Sequence, residues 1–413
     1  MLQLVSALGL VVFLGLAWCL SLNRKRFPWR LVLSGMGLQF LFALLILKTP
    51  YGQRAFGFFD RIIRKLLSFA EEGSDMVFGP LANEAVLAKG LQIPSGFVFV
   101  VTVTSIIILI SSLSSVLYHY GILQAVVRGM AWVMQRVMGT SGSESLAAAA
   151  NIFMGQTEAP LVIQPYLAGM TRSELMALMT SGMATIAGSV LGAYVGFGMD
   201  AAHLLTASVI SAPAALVVAK IILPETERSA TAAGANATVE RTTVNGLDAL
   251  CHGAGDGVKL AINVMAMLIA FVAVVALLNF IISFGLRGAG MEVKQPLQLF
   301  FGWLNAPFAW LMGVPWKDCF TVGEVLGERI VINEFIGYLK LGNLKDTIDP
   351  RSFTIATYAL CGFANFSSVA IQIGGIGALA PTRRKDLAQL GLRSMAGGLL
   401  TCYLTAAIAG ILI

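Results

Sequence analysis

Residues Ser145–Met170 read SLAAAANIFMGQTEAPLVIQPYLAGM. The stretch is apolar at both ends and polar in the middle, where Gly155-Gln156-Thr157-Glu158 is followed by Pro160. Each apolar half holds about a dozen residues. A helix rises about 1.5 Å per residue, so neither half crosses a hydrocarbon core of about 30 Å. The pattern predicts two half-helices meeting at a polar tip, a re-entrant hairpin. Such backbone is tolerated at membrane depth only where protein buries it or a wet cavity meets it. A second stretch, from Phe320 to about Leu341, reads FTVGEVLGERIVINEFIGYLKL and has Glu334 near its middle. It is expected to form a second hairpin.

Composition supplies the membrane. Of 413 residues, 57% are hydrophobic and 12% charged, and the mean hydropathy is +0.80. A soluble domain carries about 25% charge. Half that charge cannot cover a soluble exterior, which excludes ordinary soluble, nucleic-acid-binding and disordered classes. The net charge of +6 reads as an orientation signal, because the positive residues cluster between apolar runs. Cys19, Cys251, Cys319, Cys361 and Cys402 are odd in number and show no C-x-x-C spacing. Free thiols are expected, without a disulfide framework or a zinc site.

Eight spans are expected. Met1–Asn23 is uncharged and precedes Arg24-Lys25-Arg26, the reverse of a secretory signal, so it reads as a retained span with its N-terminus outside. Leu31–Leu47 returns. Gly52–Glu72 alternates Phe56, Phe59, Ile62, Ile63, Leu66 and Leu67 with Arg54, Arg61, Arg64 and Lys65, the pattern of an amphipathic helix along the interface, or else of a solvated connecting helix. Phe97–Leu117 is span three, Leu175–Met199 span four and Ala201–Ala219 span five. A polar segment from Pro224 to about Asp256 reads as a mobile cytoplasmic linker. The Asn236-Ala237-Thr238 sequon falls in it and is therefore discounted. Leu260–Leu286, Ser352–Ala380 and Ser394–Ile413 are spans six to eight. Basic clusters follow spans one, three and seven and fall on one side if the spans alternate, which is self-consistent.

The two hairpins sit in matching surroundings. Each precedes a span with a glycine-rich polar middle: Ala184-Thr185-Ile186-Ala187-Gly188-Ser189-Val190 after the first, Cys361-Gly362-Phe363-Ala364-Asn365-Phe366-Ser367-Ser368 after the second. Such residues let a helix unwind and free backbone groups. Glu158 to Ser189 and Glu334 to Asn365 are both 31 residues. Hairpin, broken helix, helix occurs twice, with one odd span between the copies. That order predicts an inverted repeat with the ligand bound where the copies meet; the alternative is coincidence between two polar-interrupted apolar stretches.

Glu158 and Glu334 are the chemical signal. A carboxylate at the bilayer centre costs at least about 2.5–3.5 kcal/mol on insertion scales and is a functional-site candidate by default. The bland alternative is a shallow carboxylate, or for Glu334 one paired with Arg329 or Lys340. Around them stand the amides of Gln156 and Asn365 and the hydroxyls of Thr157, Ser367 and Ser368. This set suits a neutral ligand rich in hydroxyl and amide-like groups. It lacks the Arg or Lys cluster that a phosphorylated or dicarboxylate ligand needs. Phe363 and Phe366 offer an apolar wall, or ordinary helix packing. Oxygens near Asn151–Met154 and Thr185–Ile186 suit a hard cation such as Na⁺, although Asn151 is also a natural half-helix cap. No catalytic constellation emerges: His119, His203 and His252 lie near span ends or in loops, and no H-E-x-x-H or Walker A sequence occurs.

Three motifs, Gly155-Gln156-Thr157-Glu158-Ala159-Pro160, Asn333-Glu334-Phe335 and Gly362-Phe363-Ala364-Asn365-Phe366-Ser367-Ser368, in this order and spacing resemble the concentrative nucleoside transporters over nearly the whole chain. The resemblance is to a bacterial member with eight spans, without the additional N-terminal spans of vertebrate members. It implies an all-α integral membrane protein of the bacterial inner membrane: eight transmembrane helices, two re-entrant hairpins in an inverted repeat and an interfacial amphipathic helix. It implies a homotrimer whose scaffold comprises residues 1–135 and 260–315. The transport domain comprises 136–222 and 316–413 and moves like an elevator, and 223–259 is the cytoplasmic linker. By position, Gln156, Thr157 and Glu158 would face the nucleobase with Val190 and Phe363 beside it, and Leu260 would touch the base from the scaffold. Glu334, Asn365 and Ser368 would hold the ribose, and Asn151, Met154, Thr185 and Ile186 would surround Na⁺. Serine is expected where Thr185 stands; threonine keeps the hydroxyl. The Gln-Thr-Glu tip is similar to sodium-coupled members rather than to the Gln-Ser-Glu tip of proton-coupled ones. The implied activity is sodium-coupled uptake of nucleosides such as uridine, with no cofactor beyond the coupling ion and no nucleic-acid partner. A proton-coupled symporter, an intramembrane enzyme using the two glutamates as acid and base, and a channel are the alternatives. Neither of the last two requires a duplicated hairpin.

Overall fold

A computed structural model describes residues 1–92, 97–235, 243–288, 290–293 and 295–413. The Asn236–Thr238 sequon lies outside them. Every regular element among the described residues is helical.

The chain opens with two apolar helices, α1 (Leu2–Cys19) and α2 (Trp29–Leu47). α3 (Pro50–Phe78) starts where the Thr49 hydroxyl accepts the Gly52 N–H at 3.0 Å and Pro50 occupies the first helical turn. It is amphipathic: its basic side chains point outward, while Ala70 and Ser74 are buried. Asp60 on α3 accepts the Ala201 N–H at 3.2 Å, which ties this helix to the turn at Asp200. α4 (Glu84–Leu91), α5 (Phe99–His119) and α6 (Ile122–Met138) follow. The last, amphipathic and carrying Arg128 and Arg136, was not expected as a separate helix.

The first hairpin comprises α7 (Gly142–Ala150), α8 (Ala159–Val162) and α9 (Gln164–Leu167). Its return arm is therefore not one half-helix but two single turns. Pro160 opens one turn and Pro165 the other, and Pro165 has no N–H to continue the ladder through Ile163. Span four is broken as expected, into α10 (Arg172–Ala184) and α11 (Gly188–Gly196), with Thr185 in extended conformation at the break. α12 (Ala201–Ile222) completes the first set.

α13 (Gly246–Gly288) is a single helix of 43 residues. It begins well before Leu260, so the expected linker is shortened. The linker's near end is not loose either: Ser229 donates to Glu174 at 2.6 Å, and buried Thr231 receives the Gly142 N–H at 2.9 Å. Two glycines explain how far α13 runs against α5. A Cβ on Gly253 would come within 2.6 Å of the Ser111 carbonyl oxygen, and one on Gly257 within 2.8 Å of the Ile108 Cα. α14 (Pro296–Leu311) then packs on the next hairpin.

That hairpin is α15 (Trp316–Val331) and α16 (Glu334–Asn343), the latter capped by the Asn333 side chain. α17 (Pro350–Leu360), α18 (Phe366–Leu379) and α19 (Arg384–Leu412) end the chain. Among the described residues, seven helical segments are long and apolar enough to cross a membrane. The expected seventh span is not among them, because it is interrupted at Cys361–Asn365, between α17 and α18.

Burial separates two kinds of apolar helix. The apolar windows of α10–α11 and α12 are 94% and 89% buried, that of α13 only 11%. An apolar helix left so exposed needs lipid or another chain on its outer face. The buried set carries the two helix breaks to one place. A Cβ on Gly362 would lie 2.6 Å from the Met183 carbonyl oxygen, so the interruption in α17–α18 rests directly on the end of α10.

Candidate functional site

The site grows from the two breaks. Asn365 stands at the start of α18 in extended conformation, and its Oδ1 accepts the Ser368 N–H at 2.8 Å and the Ser367 hydroxyl at 2.7 Å. This cap orients the remaining half of the amide, whose Nδ2 donates to Glu334 Oε2 at 3.0 Å. Glu334 Oε1 accepts the Tyr194 hydroxyl at 3.1 Å. The alternative pairing of Glu334 with Arg329 or Lys340 is not realised. Lys340 pairs with Glu328 at 2.9 Å, and the fully buried Arg329 donates to the Ala359 carbonyl at 2.6 Å while lying over the Tyr403 ring.

From Ser368 the chain of contacts passes to the first hairpin. Gln156 Nε2 donates to the Ser368 hydroxyl at 3.0 Å, and Gln156 Oε1 accepts Gln372 Nε2 at 3.1 Å. Gln372 also donates to the Met179 carbonyl at 3.1 Å. Tyr194, Glu334, Asn365, Ser368, Gln156 and Gln372 thus form one connected, buried polar network spanning both hairpins and both broken helices. Buried polar groups left unpaired cost roughly 1–3 kcal/mol each, so such a network holds a defined geometry.

The other expected residues are distributed around it. Thr157 and Glu158 are exposed at the first tip. Glu158 Oε2 accepts the Gly155 N–H at 3.1 Å and faces a cavity of about 770 Å³ bounded by α5, α13 and the first hairpin. Val190 is buried in the first turn of α11, and Phe363 is half-buried within the second break. Leu260 lies on α13, outside both the network and the lining of that cavity. The Asn151–Met154 segment meets the span-four break: the Gly188 N–H donates to the Phe153 carbonyl at 3.0 Å. The Thr185 hydroxyl donates to the Ser181 carbonyl at 3.0 Å. Asn151 Oδ1 and the hydroxyls of Thr180 and Ser181 are buried without hydrogen-bond partners among the described residues. Unpaired hard oxygens around a helix break fit a small cation.

Two members of the network escaped the sequence reading. Gln372 is an amide within the apolar run Val369–Ile373, a usable signal that a search for motifs passed over. Tyr194 sits in Leu191-Gly192-Ala193-Tyr194-Val195, where nothing distinguishes it from a packing residue.

Three family descriptions together match most of this chain: "Na+ dependent nucleoside transporter N-terminus" over residues 8–81, "Nucleoside recognition" over 100–201, and "Na+ dependent nucleoside transporter C-terminus" over 203–410. The chain belongs to the concentrative nucleoside transporter family. An uncharacterised transporter of Haemophilus influenzae is 42% identical over 99% of this chain and 98% of its own. Sodium/nucleoside cotransporter 1 of Rattus norvegicus is 43% identical over 99% of this chain, which spans 64% of that longer relative. The fold matches CNTnw in an inward-facing substrate-bound state at 38% identity, with a TM-score of 0.91, covering 100% of this chain and 98% of that one. It also matches outward-facing forms of CNTnw, one with a TM-score of 0.93. This nucleoside transporter homologue is a multi-pass membrane protein whose named relatives are transporters, not enzymes.

Proposed function

We propose that this family member imports nucleosides, uridine among them, by symport with Na⁺ across a bacterial inner membrane, working as a homotrimer. The observation that carries the reading is the network from Tyr194 to Gln372, which joins both hairpin tips through groups that a ribose and a base can replace. Ribose hydroxyls entering beside Glu334, Asn365 and Ser368 exchange protein contacts for ligand contacts of equal kind. The base is held by Gln156, Thr157 and Glu158, between Val190 and Phe363, with Leu260 reaching it once the mobile body shifts along α13.

Na⁺ is the second cargo. Asn151 and Thr185 offer side-chain oxygens, and Met154 and Ile186 offer backbone carbonyls beside the break. The partnerless Asn151 Oδ1 supports this assignment. A cation there orders the first tip, which carries Gln156 and Glu158, so each cargo raises the affinity for the other. Residues 136–222 and 316–413, in two oppositely oriented copies, move as the transport body. Residues 1–135 and 260–315 remain as the scaffold, and closing the tips lowers the cost of carrying polar groups through it.

The test is uridine uptake by proteoliposomes under an imposed Na⁺ gradient at fixed pH. Accumulation that follows Na⁺ supports the proposal. Uptake indifferent to Na⁺ but driven by a proton gradient replaces the ion, and equilibration without accumulation replaces the symporter with a channel.

A further inference from the structure

We propose a second, transient nucleoside subsite in the 770 Å³ cavity, where the hydroxyls of Ser111, Ser114 and Ser115 on the stationary wall of α5 are joined by Ser189 of α11 on the transport body. The ligand released by the Glu158 tip is handed to these hydroxyls before it leaves. The inference rests on the nucleoside reading above and adds to it three hydroxyls that the transport body does not carry.

Serine hydroxyls on helices in apolar surroundings usually donate back to the carbonyl four residues earlier. Two serines of α5 do so: Ser105 donates to Val101 at 2.9 Å and Ser112 to Ile108 at 2.8 Å. Ser111, Ser114 and Ser115 line the cavity, and among the described residues none of their hydroxyls has such a partner. Their spacing of i, i+3 and i+4 puts them on one face of α5. Small residues alone would not make a site. The independent observation is Ser189 across the cavity, which lines it, is only 6% exposed and has no partner for its Oγ among the described residues. A buried hydroxyl costs free energy unless a ligand or water meets it.

The wall is also stiff. A Cβ on Gly253 would come 2.6 Å from the Ser111 carbonyl oxygen and 2.7 Å from the Ser115 Cβ, so α13 backs this face of α5 at backbone contact. The cavity therefore offers the α5 hydroxyls, with His252 and Asp256 of α13 beside them, on its fixed side and the Glu158 carboxylate on its other side. Neutral hydroxyls donate and accept equally and bind weakly, which suits a polyhydroxylated, uncharged ligand in passage. The volume falls within the roughly 300–1,000 Å³ of small-molecule sites.

The test is the triple variant Ser111→Ala, Ser114→Ala, Ser115→Ala, which keeps every Cβ and so keeps the Gly253 contact. In detergent, uridine should bind the variant within about twofold of the wild-type Kd, because the primary site is untouched. In oriented proteoliposomes, the maximal uptake rate should fall about 3- to 10-fold. The KM for uridine presented from the side on which the cavity opens should rise by a similar factor, with the opposite-side KM unchanged, at about 2- to 10-fold per neutral hydrogen bond lost. If the triple variant melts earlier than wild type, Ser114→Ala alone carries the test, with about a twofold effect expected. Unchanged rate and side-specific KM in a folded variant overturn the subsite alone, as does a Kd that weakens in step with the rate. Wild-type vesicles that take up no uridine overturn the nucleoside reading and the subsite with it.

Discussion

The Gln156 amide and the Ser368 hydroxyl meet at 3.0 Å although 212 residues separate them in sequence. This contact closes the first hairpin onto the second broken helix. It makes one polar network of groups that would otherwise be two half-sites, and the chemistry of both halves is read through it.

Glu334→Gln should weaken uridine binding by about 10- to 100-fold, since contacts to a charged acceptor are worth roughly 1.5–3 kcal/mol. The carboxylate accepts from both Tyr194 and Asn365, and an amide keeps only one accepting oxygen. Calorimetric titration of the purified variant measures this, and a wild-type Kd would remove Glu334 from the proposed ribose site.

Gln372→Ala should raise the uridine KM by about 5- to 10-fold, because it leaves Gln156 Oε1 and the Met179 carbonyl without their donor at roughly 1–3 kcal/mol for a group left unpaired. Gln156 is then free to turn away from Ser368. Uptake kinetics with a parallel melting curve separate this from simple unfolding, and an unchanged KM in a folded variant contradicts it.

Thr185→Ala should increase the Na⁺ concentration for half-maximal uptake by about 3- to 10-fold, a loss of roughly 0.5–1.5 kcal/mol for one oxygen contact. Maximal uptake at saturating Na⁺ should change little. Thr185→Ser, which keeps the hydroxyl, should behave as wild type. Equal Na⁺ dependence for the Ala and Ser variants would place the cation elsewhere.

A fourth expectation concerns stability at the base of the first hairpin. Lys220 reaches Glu144 at 2.7 Å and Glu225 at 3.1 Å, with Lys220 and Glu144 both buried. Lys220→Met alone leaves the Glu144 charge unpaired and should cost about 3–5 kcal/mol. Adding Glu144→Leu removes that charge and should recover most of the loss. Thermal midpoints of the two variants decide it; a double variant no more stable than the single one would show that the pair is not the source.

The sequence by itself determined the membrane class, the two polar segments and the interrupted helices. These depend on local properties: runs of apolar residues, glycine and proline at bends, and capping residues such as Asn333 and Asn365. The tertiary structure decided which polar groups pair. Tyr194 and Glu334 are 140 residues apart, and Gln156 and Gln372 are 216 apart. A single sequence holds no record of such distances, so Arg329 stood as a candidate partner for Glu334 until helix packing turned it to the Ala359 carbonyl. The 43-residue length of α13 was hidden for a related reason. Its first turns are polar and glycine-containing, and they are helical because Gly253 and Gly257 let them lie at backbone contact with α5, a gain that exists only once both helices are in place.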